Sequence, residues 1–175
     1  MCWPTKLDLS LERIHFADDT SGARWLEALQ VNFLKVSIVQ TNLRELSSNV
    51  FNSNTFTQMT SLLIGDLVQL IPSNETFMGI SRLETLRFKN IGSFVPIQLF
   101  NLTPLSSSLV ELEMSNIEAY WSPIALLGNG HIYAKMKTIN YSNNNFTSVT
   151  FNSTSFLGVK TTIEQINMGN SRITD

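Results

Sequence analysis

MKTINYSNNNFTSV, residues 136–149, is the stretch that decides the fold of this chain. Its apolar residues stand at Met136, Ile139, Tyr141, Phe146 and Val149. Ile139 and Tyr141 are separated by one polar residue, which is typical of a β-strand with one buried face. The polar run that follows, with Asn144 inside it, predicts a turn directly after the strand.

A strand with one apolar side cannot bury that side alone, so the unit must be repeated along the chain. Matching units recur at intervals of roughly 24 to 27 residues. Their strand-start residues are Phe33, Met59, Leu83, Leu109, Met136 and Ile163. The fourth and sixth positions hold the apolar pairs Val36/Ile38, Leu62/Ile64, Leu86/Phe88, Leu112/Met114, Ile139/Tyr141 and Ile166/Met168. A degenerate first copy is predicted to start at Pro4, with Leu7 and Leu9 as its pair.

The spacing LxxLxLxxNxL in residues 136–146 resembles one unit of the leucine-rich-repeat family, and the resemblance covers essentially the whole chain. It implies an α/β, β-rich fold: a curved leucine-rich-repeat solenoid of about seven coils with a parallel β-sheet on the concave face. Residues 1–175 would form a single leucine-rich-repeat domain. Residues 1–32 would be a cap remnant and degenerate first repeat, and residues 33–175 would be six repeats. Residues 18–30 predict a short helix on the outer side, capped by Ser21 and packed through Trp25, Leu26 and Leu29.

The segments between strands resemble the typical extracellular subfamily of leucine-rich repeats. In that subfamily a Phe is followed three positions later by an apolar residue, as Phe77 is by Ile80 here. The sequences of the repeats are similar to those of arthropod ectodomains of the Toll or chaoptin kind. They are also similar to those of non-catalytic repeat subunits of the shrimp luciferin monooxygenase kind. Cys2, followed by Trp-Pro, resembles the tail of a cysteine-bearing cap. We therefore expect a fragment of a longer secreted or cell-surface protein.

A cytoplasmic location is the alternative, because Cys2 allows no intrachain disulfide and the first residues hold no apolar core of a signal peptide. Composition excludes other classes. The net charge is −2, which argues against nucleic acid as a partner. Apolar runs are far shorter than the ~20 residues that span a bilayer, so membrane insertion within this segment is not expected.

Catalytic and metal-binding patterns are sparse. His15 and His131 lie far apart and not at metal-ligand spacing, and no phosphate-binding glycine motif occurs. A Cys2/His15 nucleophile pair is conceivable, but a cap cysteine and a rim histidine explain both residues. Glu111 and Glu113 are two apart on a strand, so both should face outward into solvent. We expect no catalytic residues, no metal site, no cofactor and no enzymatic activity.

Two polar rows follow the strands. The unit's Asn is present only at Asn144; Leu67, Ile91 and Ile117 replace it in the three preceding units, so the nearby amides there need other partners. One position earlier stand Asp66, Asn90, Asn116, Asn143 and Asn170. The simpler interpretation is that these residues adopt positive φ as the chain leaves each strand. The alternative is a polar ladder that faces a ligand.

The glycosylation motif N-x-[ST] occurs at Asn74, Asn101, Asn140, Asn145 and Asn152. Because Asn, Ser and Thr are frequent, several such motifs are expected by chance. Asn74, Asn101 and Asn152 fall between strands, where a glycan has room. Asn140 falls within a strand, on the face opposite the core.

Leucine-rich repeats usually bind proteins on the concave face. The predicted central row of that face reads Asp8, Ser37, Leu63, Arg87, Glu113, Asn140 and Asn167. The predicted partner-binding residues are its densest charge cluster: Glu84, Arg87, Lys89, Glu111 and Glu113. A solvated face with weak cross-strand pairs is the other interpretation. The function expected is non-catalytic recognition of a protein ligand or partner subunit, and the alternatives are a scaffolding subunit of an enzyme complex or a cytosolic regulator.

Overall fold

The structure, a computed structural model, describes residues 7–16, 32–46, 50–51, 54–73, 75–95, 101–117, 127, 130–147, 149, 151–152 and 154–173. Its strands are β1 (Leu7–Glu12), β2 (Phe33–Val39), β3 (Glu45–Leu46), β4 (Ser61–Leu67), β5 (Ile71–Pro72), β6 (Thr85–Ile91), β7 (Glu111–Ile117), β8 (Thr138–Asn140), β9 (Asn145–Phe146), β10 (Gln165–Asn167) and β11 (Arg172–Ile173). Short 3-10 helices lie at Asn54–Phe56, Thr103–Leu105 and Leu157–Val159. The described part of the chain is therefore β-rich.

One parallel sheet organises the molecule. Its strand order is β1-β2-β4-β6-β7-β8-β10, so each strand lies beside the next one in sequence. A return segment of chain joins each strand to its parallel neighbour, and small parallel pairs, β3–β5 and β9–β11, form between successive return segments. This is the architecture of a parallel β-solenoid, in which each turn covers the apolar side of its neighbours.

The expected count of about seven coils is wrong. The structure shows about five turns, although seven strands join the sheet. The predicted helix at residues 18–30 and the predicted start at Pro4 lie outside the described residues.

The core runs along the inner side of the sheet. Leu62, Leu86, Leu112 and Ile139 are paired strand to strand in one row, and each is at most 1% exposed. The strand-start residues from Phe33 to Met136 are buried as well. The predicted apolar pairs and their register are therefore confirmed for the five inner units.

The two edge strands depart from the prediction. Leu9 and Leu11, rather than Leu7 and Leu9, stand opposite Val36 and Ile38. A shift by two residues keeps the same side chains on the same face, so the alternating leucines of β1 fit either register. At the other edge Ile166 is 39% exposed, because β10 has a neighbouring strand on one side only.

The residues that end each strand confirm the positive-φ interpretation. Asp66, Asn90, Asn116, Asn143 and Asn170 have φ between 52° and 59°, and Arg13 and Gln40 occupy the same state in the first two units. The row also bonds along its length. Asn90 Nδ2 donates to Asp66 Oδ1 at 2.7 Å, and Asn116 Nδ2 donates to Asn90 Oδ1 at 2.9 Å. A ligand for this ladder remains a prediction.

Just beyond these residues, the backbone amides and carbonyls find hydrogen-bond partners in two ways. In the middle of the sheet, Leu67, Ile91 and Ile117 are buried and paired in register, so the backbone ladder itself continues to the corner. Strand pairing thus continues through the positions of Leu67, Ile91 and Ile117, where the Asn is replaced.

The corner that follows β8 uses a side chain instead. Asn144 Oδ1 accepts a hydrogen bond from the Ile117 amide at 2.8 Å, and its Nδ2 donates to the carbonyls of Met114 and Tyr141 at 2.6 and 2.8 Å. Ser171 continues this arrangement one unit later, since its hydroxyl donates to the Tyr141 carbonyl at 2.9 Å. Among the described residues, no helix has the length and hydropathy needed to cross a bilayer.

Candidate functional site on the open face of the sheet

The solvent side of the main sheet, here called the open face, consists of the strand residues that alternate with the buried ones. On its inner strands these are Lys35, Ser37 and Val39 of β2, Ser61, Leu63 and Gly65 of β4, Thr85, Arg87 and Lys89 of β6, Glu111, Glu113 and Ser115 of β7, and Thr138 and Asn140 of β8. The predicted central row is confirmed from Ser37 to Asn167. Asp8 is the exception, since it stands opposite Lys35.

Glu113 is the centre of a charged network on this face. Its Oε1 accepts hydrogen bonds from Ser115 Oγ at 2.8 Å and from Asn140 Nδ2 at 3.0 Å. Lys89 Nζ lies 3.5 Å from the same oxygen, and Arg87 Nε lies 3.6 Å from Oε2. Contributions from three adjacent strands therefore meet at one carboxylate.

The expectation that Glu113 faces open solvent is wrong, because this residue is only 8% exposed. Side chains from β6 and β8 close over it from both sides. The burial is tolerable since two cations and two hydrogen-bond donors replace the lost water. Glu111 matches the expectation better: its side chain is 36% exposed, and it accepts a hydrogen bond from Arg87 Nη2 at 2.9 Å.

The five residues predicted to bind a partner are not all brought together. Arg87, Lys89, Glu111 and Glu113 form the network. Glu84 lies just before β6 with an exposed side chain, and it contributes its backbone carbonyl to the amides of the neighbouring unit. Sequence reasoning missed Ser115 and Asn140 as partners of Glu113, although their register, two residues along β7 and directly opposite on β8, was available.

A second charged pair lies nearer the first strand. Lys35 Nζ is 3.9 Å from Asp8 Oδ2, and the two side chains are 60% and 62% exposed. A pair with this separation and exposure contributes little to folding. Two kinds of ion pair, one exposed and one centred on a buried carboxylate, therefore share the open face.

The glycosylation motifs occupy different surroundings. Asn101, Asn145 and Asn152 are exposed, and each side-chain oxygen accepts a hydrogen bond from the amide of the Thr two residues later. Asn140 lies on the open face with its amide bonded to Glu113. Asn74 lies outside the described residues.

Titratable groups elsewhere have simple environments. His15 and His131 are exposed, and the described residues contain no group of three His, Cys, Asp or Glu side chains suited to a metal ion. Burial raises the pKa of Tyr133, and burial followed by the nearby Tyr133 raises the pKa of Tyr141. A hydrogen bond to Glu164 raises the pKa of Lys137. The open face thus offers fixed charges, amides and hydroxyls for contact.

Comparisons with protein families, with curated proteins and with solved structures found no match for this chain.

Proposed function

We propose that this chain is a non-catalytic protein-recognition module that holds its partner against the open face of the main sheet. The observation that carries the proposal is the register of that face. Side chains from successive parallel strands stand in straight rows, separated by about 4.8 Å, on a scaffold whose buried side is continuous. Such a surface presents a fixed pattern to a partner without reordering, which lowers the entropic cost of binding.

We further propose that the repeats are leucine-rich repeats of a secreted or cell-surface protein. Two observations support this. In leucine-rich repeats the Asn of the unit bonds the backbone of neighbouring turns, and Asn144 bonds the backbone of the adjacent turn here. The exposure of Asn101, Asn145 and Asn152 leaves room for glycans away from the open face.

The binding proposal is tested by blocking the open face with bulk. Ser37→Arg combined with Thr138→Arg adds two long side chains there; Ser37 stands opposite Leu63, and Thr138 stands opposite Glu111 at the exposed rim of the network. Ser81→Arg combined with Thr161→Arg makes the same chemical change at exposed positions outside the sheet. Each protein is immobilised and exposed to an extract of the tissue that makes it.

The expected result is that the wild type and the Ser81/Thr161 control retain the same partner protein, while the Ser37/Thr138 variant loses it. Melting curves of all three should coincide, because the altered side chains are not buried. Equal retention by both variants would reject the open face as the binding surface.

The extracellular proposal has a separate test. Expressed through a secretory pathway, the protein should carry glycans at Asn74, Asn101 or Asn152, as peptide mass mapping would detect. If all three are bare in the secreted protein, the cytoplasmic alternative is favoured.

A further inference from the structure

A symmetric pattern of charge crosses five neighbouring strands of the open face. In strand order the charged residues are Asp8 and Glu12 on β1, Lys35 on β2, none at the alternating positions Ser61, Leu63 and Gly65 of β4, Arg87 and Lys89 on β6, and Glu111 and Glu113 on β7; Asp66 is an exposed carboxylate at the end of β4. Cations therefore flank β4 on both sides, and the carboxylate that pairs with each cation lies one strand farther out.

This order makes the surface around Leu63 positive, because the carboxylate of β4, Asp66, stands three residues farther along the strand, about 10 Å away. A charge placed there is one strand spacing, about 4.8 Å, from the strands that carry cations and two spacings from those that carry carboxylates. The nearer charges dominate, since the interaction weakens with distance and with screening. The cations also remain accessible: the side chains are 60% exposed for Lys35 and 42% for Arg87 and Lys89.

The strand between them is partly apolar. Along β4 the open face carries Ser61, Leu63 and Gly65, and Val39 of β2 stands opposite Gly65. Gly65 is buried, and a Cβ at this position would lie 2.9 Å from the Lys89 carbonyl oxygen, so the glycine lets β4 and β6 lie close together. Leu63 is half-buried and is the largest apolar side chain on the open face of the inner strands. Charged side chains thus border a partly apolar strip on both sides.

We propose that this β4 strip binds an extended segment of the partner protein in which an apolar side chain lies between acidic residues. The apolar side chain would rest on Leu63 and Val39, and the acidic residues would meet Lys35 on one side and Arg87 with Lys89 on the other. Burial of apolar area supplies affinity, and the flanking cations supply specificity and faster association. The inference rests on the proposed function of the open face and names the class of partner.

The test uses three labelled synthetic peptides of equal length, measured by fluorescence anisotropy against the intact chain. Their centres read Glu-Leu-Glu, Lys-Leu-Lys and Glu-Ser-Glu. The first should bind at least about tenfold more tightly than the other two, and added salt should weaken it.

Matched variants then locate the site. Lys35→Glu and Leu63→Ser should each lower the affinity for the Glu-Leu-Glu peptide by at least about fivefold. Lys160→Glu and Leu157→Ser make the same changes at exposed positions of a return segment and should leave the affinity within about twofold. Coincident melting curves would show that all four variants are folded.

Three results would overturn the inference: equal affinity for all three peptides, equal effects of Lys35→Glu and Lys160→Glu, or binding of phosphatidylserine vesicles that Lys35→Glu abolishes while no peptide binds. The last result would identify a lipid surface instead. If the peptides fail while Ser37→Arg with Thr138→Arg still releases the natural partner, the inference is wrong and the proposed function stands.

Discussion

The open face uses similar charged residues in two different ways. Near the first strand, Lys35 and Asp8 are 3.9 Å apart and both more than half exposed. On β6 and β7, Glu113 is buried and is shared by Arg87 and Lys89. The difference comes from neutral neighbours, because Ser115 and Asn140 donate hydrogen bonds to Glu113, and no such donor is recorded for Asp8 among the described residues.

The comparison teaches that charged residues on a solenoid face can either stabilise the fold or contribute to binding. An exposed pair contributes roughly 0–1 kcal/mol, so evolution can place it for recognition. A buried carboxylate must keep its partners, since its desolvation is otherwise uncompensated. We therefore assign the buried Glu113 carboxylate mainly to stability and the exposed Lys35 mainly to binding.

The largest effect should come from the buried row beneath both sides. Leu112→Asp places a charge in a fully buried row and should cost at least about 4 kcal/mol, enough to unfold the neighbouring turns. Ile166→Asp makes the same kind of change on β10, where the side chain is 39% exposed, and should cost far less. Thermal melts of the pair check the register, and an unchanged midpoint for Leu112→Asp would show that it is wrong.

The Glu113 side also depends on the corner that holds the end of β7. Asn144→Leu removes the acceptor of the Ile117 amide and the donor to the Met114 carbonyl, leaving buried polar groups unpaired. We expect a loss of about 3 kcal/mol by urea denaturation. Ser171→Ala, which removes one hydroxyl from the next corner, should cost about 1 kcal/mol. Equal losses would mean that Asn144 has no special role.

Replacement of Glu113 should lower the free energy of unfolding less than replacement of Asn144. Glu113→Ala leaves Ser115 and Asn140 without their acceptor, yet Arg87 keeps its hydrogen bond to Glu111 and the Lys89 side chain is 42% exposed. The expected loss of unfolding free energy is about 2 kcal/mol. Glu111→Ala, at the exposed rim of the same network, should lose under about 1 kcal/mol. A reversed ranking of the two variants would contradict the comparison.

Alkaline pH should lower the free energy of unfolding through the buried phenol of Tyr141, which directly follows β8. Burial raises the pKa of Tyr141, so the folded state holds the neutral phenol. The stability that this phenol contributes is complete below the unfolded tyrosine pKa of about 10. It is lost as the pH rises toward the pKa of Tyr141 in the folded state. Above pH 10 the stability should fall by up to about 1.4 kcal/mol per pH unit for this group. Tyr141→Phe should flatten that slope, as urea melts across pH 9–11 would show.

The smallest effect belongs to the exposed pair. Lys35→Ala should change the unfolding free energy by less than about 0.5 kcal/mol, because the ion pair is long and well solvated. A loss comparable to that of Glu113→Ala would remove the distinction between the two sides.

Alternation in the sequence was sufficient to predict the inner strands, their shared register and the buried row through Leu86 and Leu112. It failed at β1, where Leu7, Leu9 and Leu11 fit two registers equally well, and the structure places the pair at Leu9 and Leu11. Edges lack a second neighbour that would select one register.

The charge cluster shows a different limit. Its members were identified from the sequence, but the burial of Glu113 was not, because burial depends on which neighbouring side chains reach over it. Likewise, the apolar residues at Leu67, Ile91 and Ile117 did not reveal that strand pairing continues through these positions. Pairwise contacts across strands are tertiary information that a single repeat does not contain.

The separation of stability at Glu113 from binding at Lys35 is tested most directly by measuring two variants in parallel. Lys35→Glu and Glu113→Gln are each assayed for their melting midpoint and for affinity toward the Glu-Leu-Glu peptide. We predict that Lys35→Glu loses affinity at an unchanged midpoint. Glu113→Gln should instead lower the midpoint while affinity is kept or increased, because one competing carboxylate is gone. If both variants move both quantities in the same direction, the two sides of the face are not distinct and the account is contradicted.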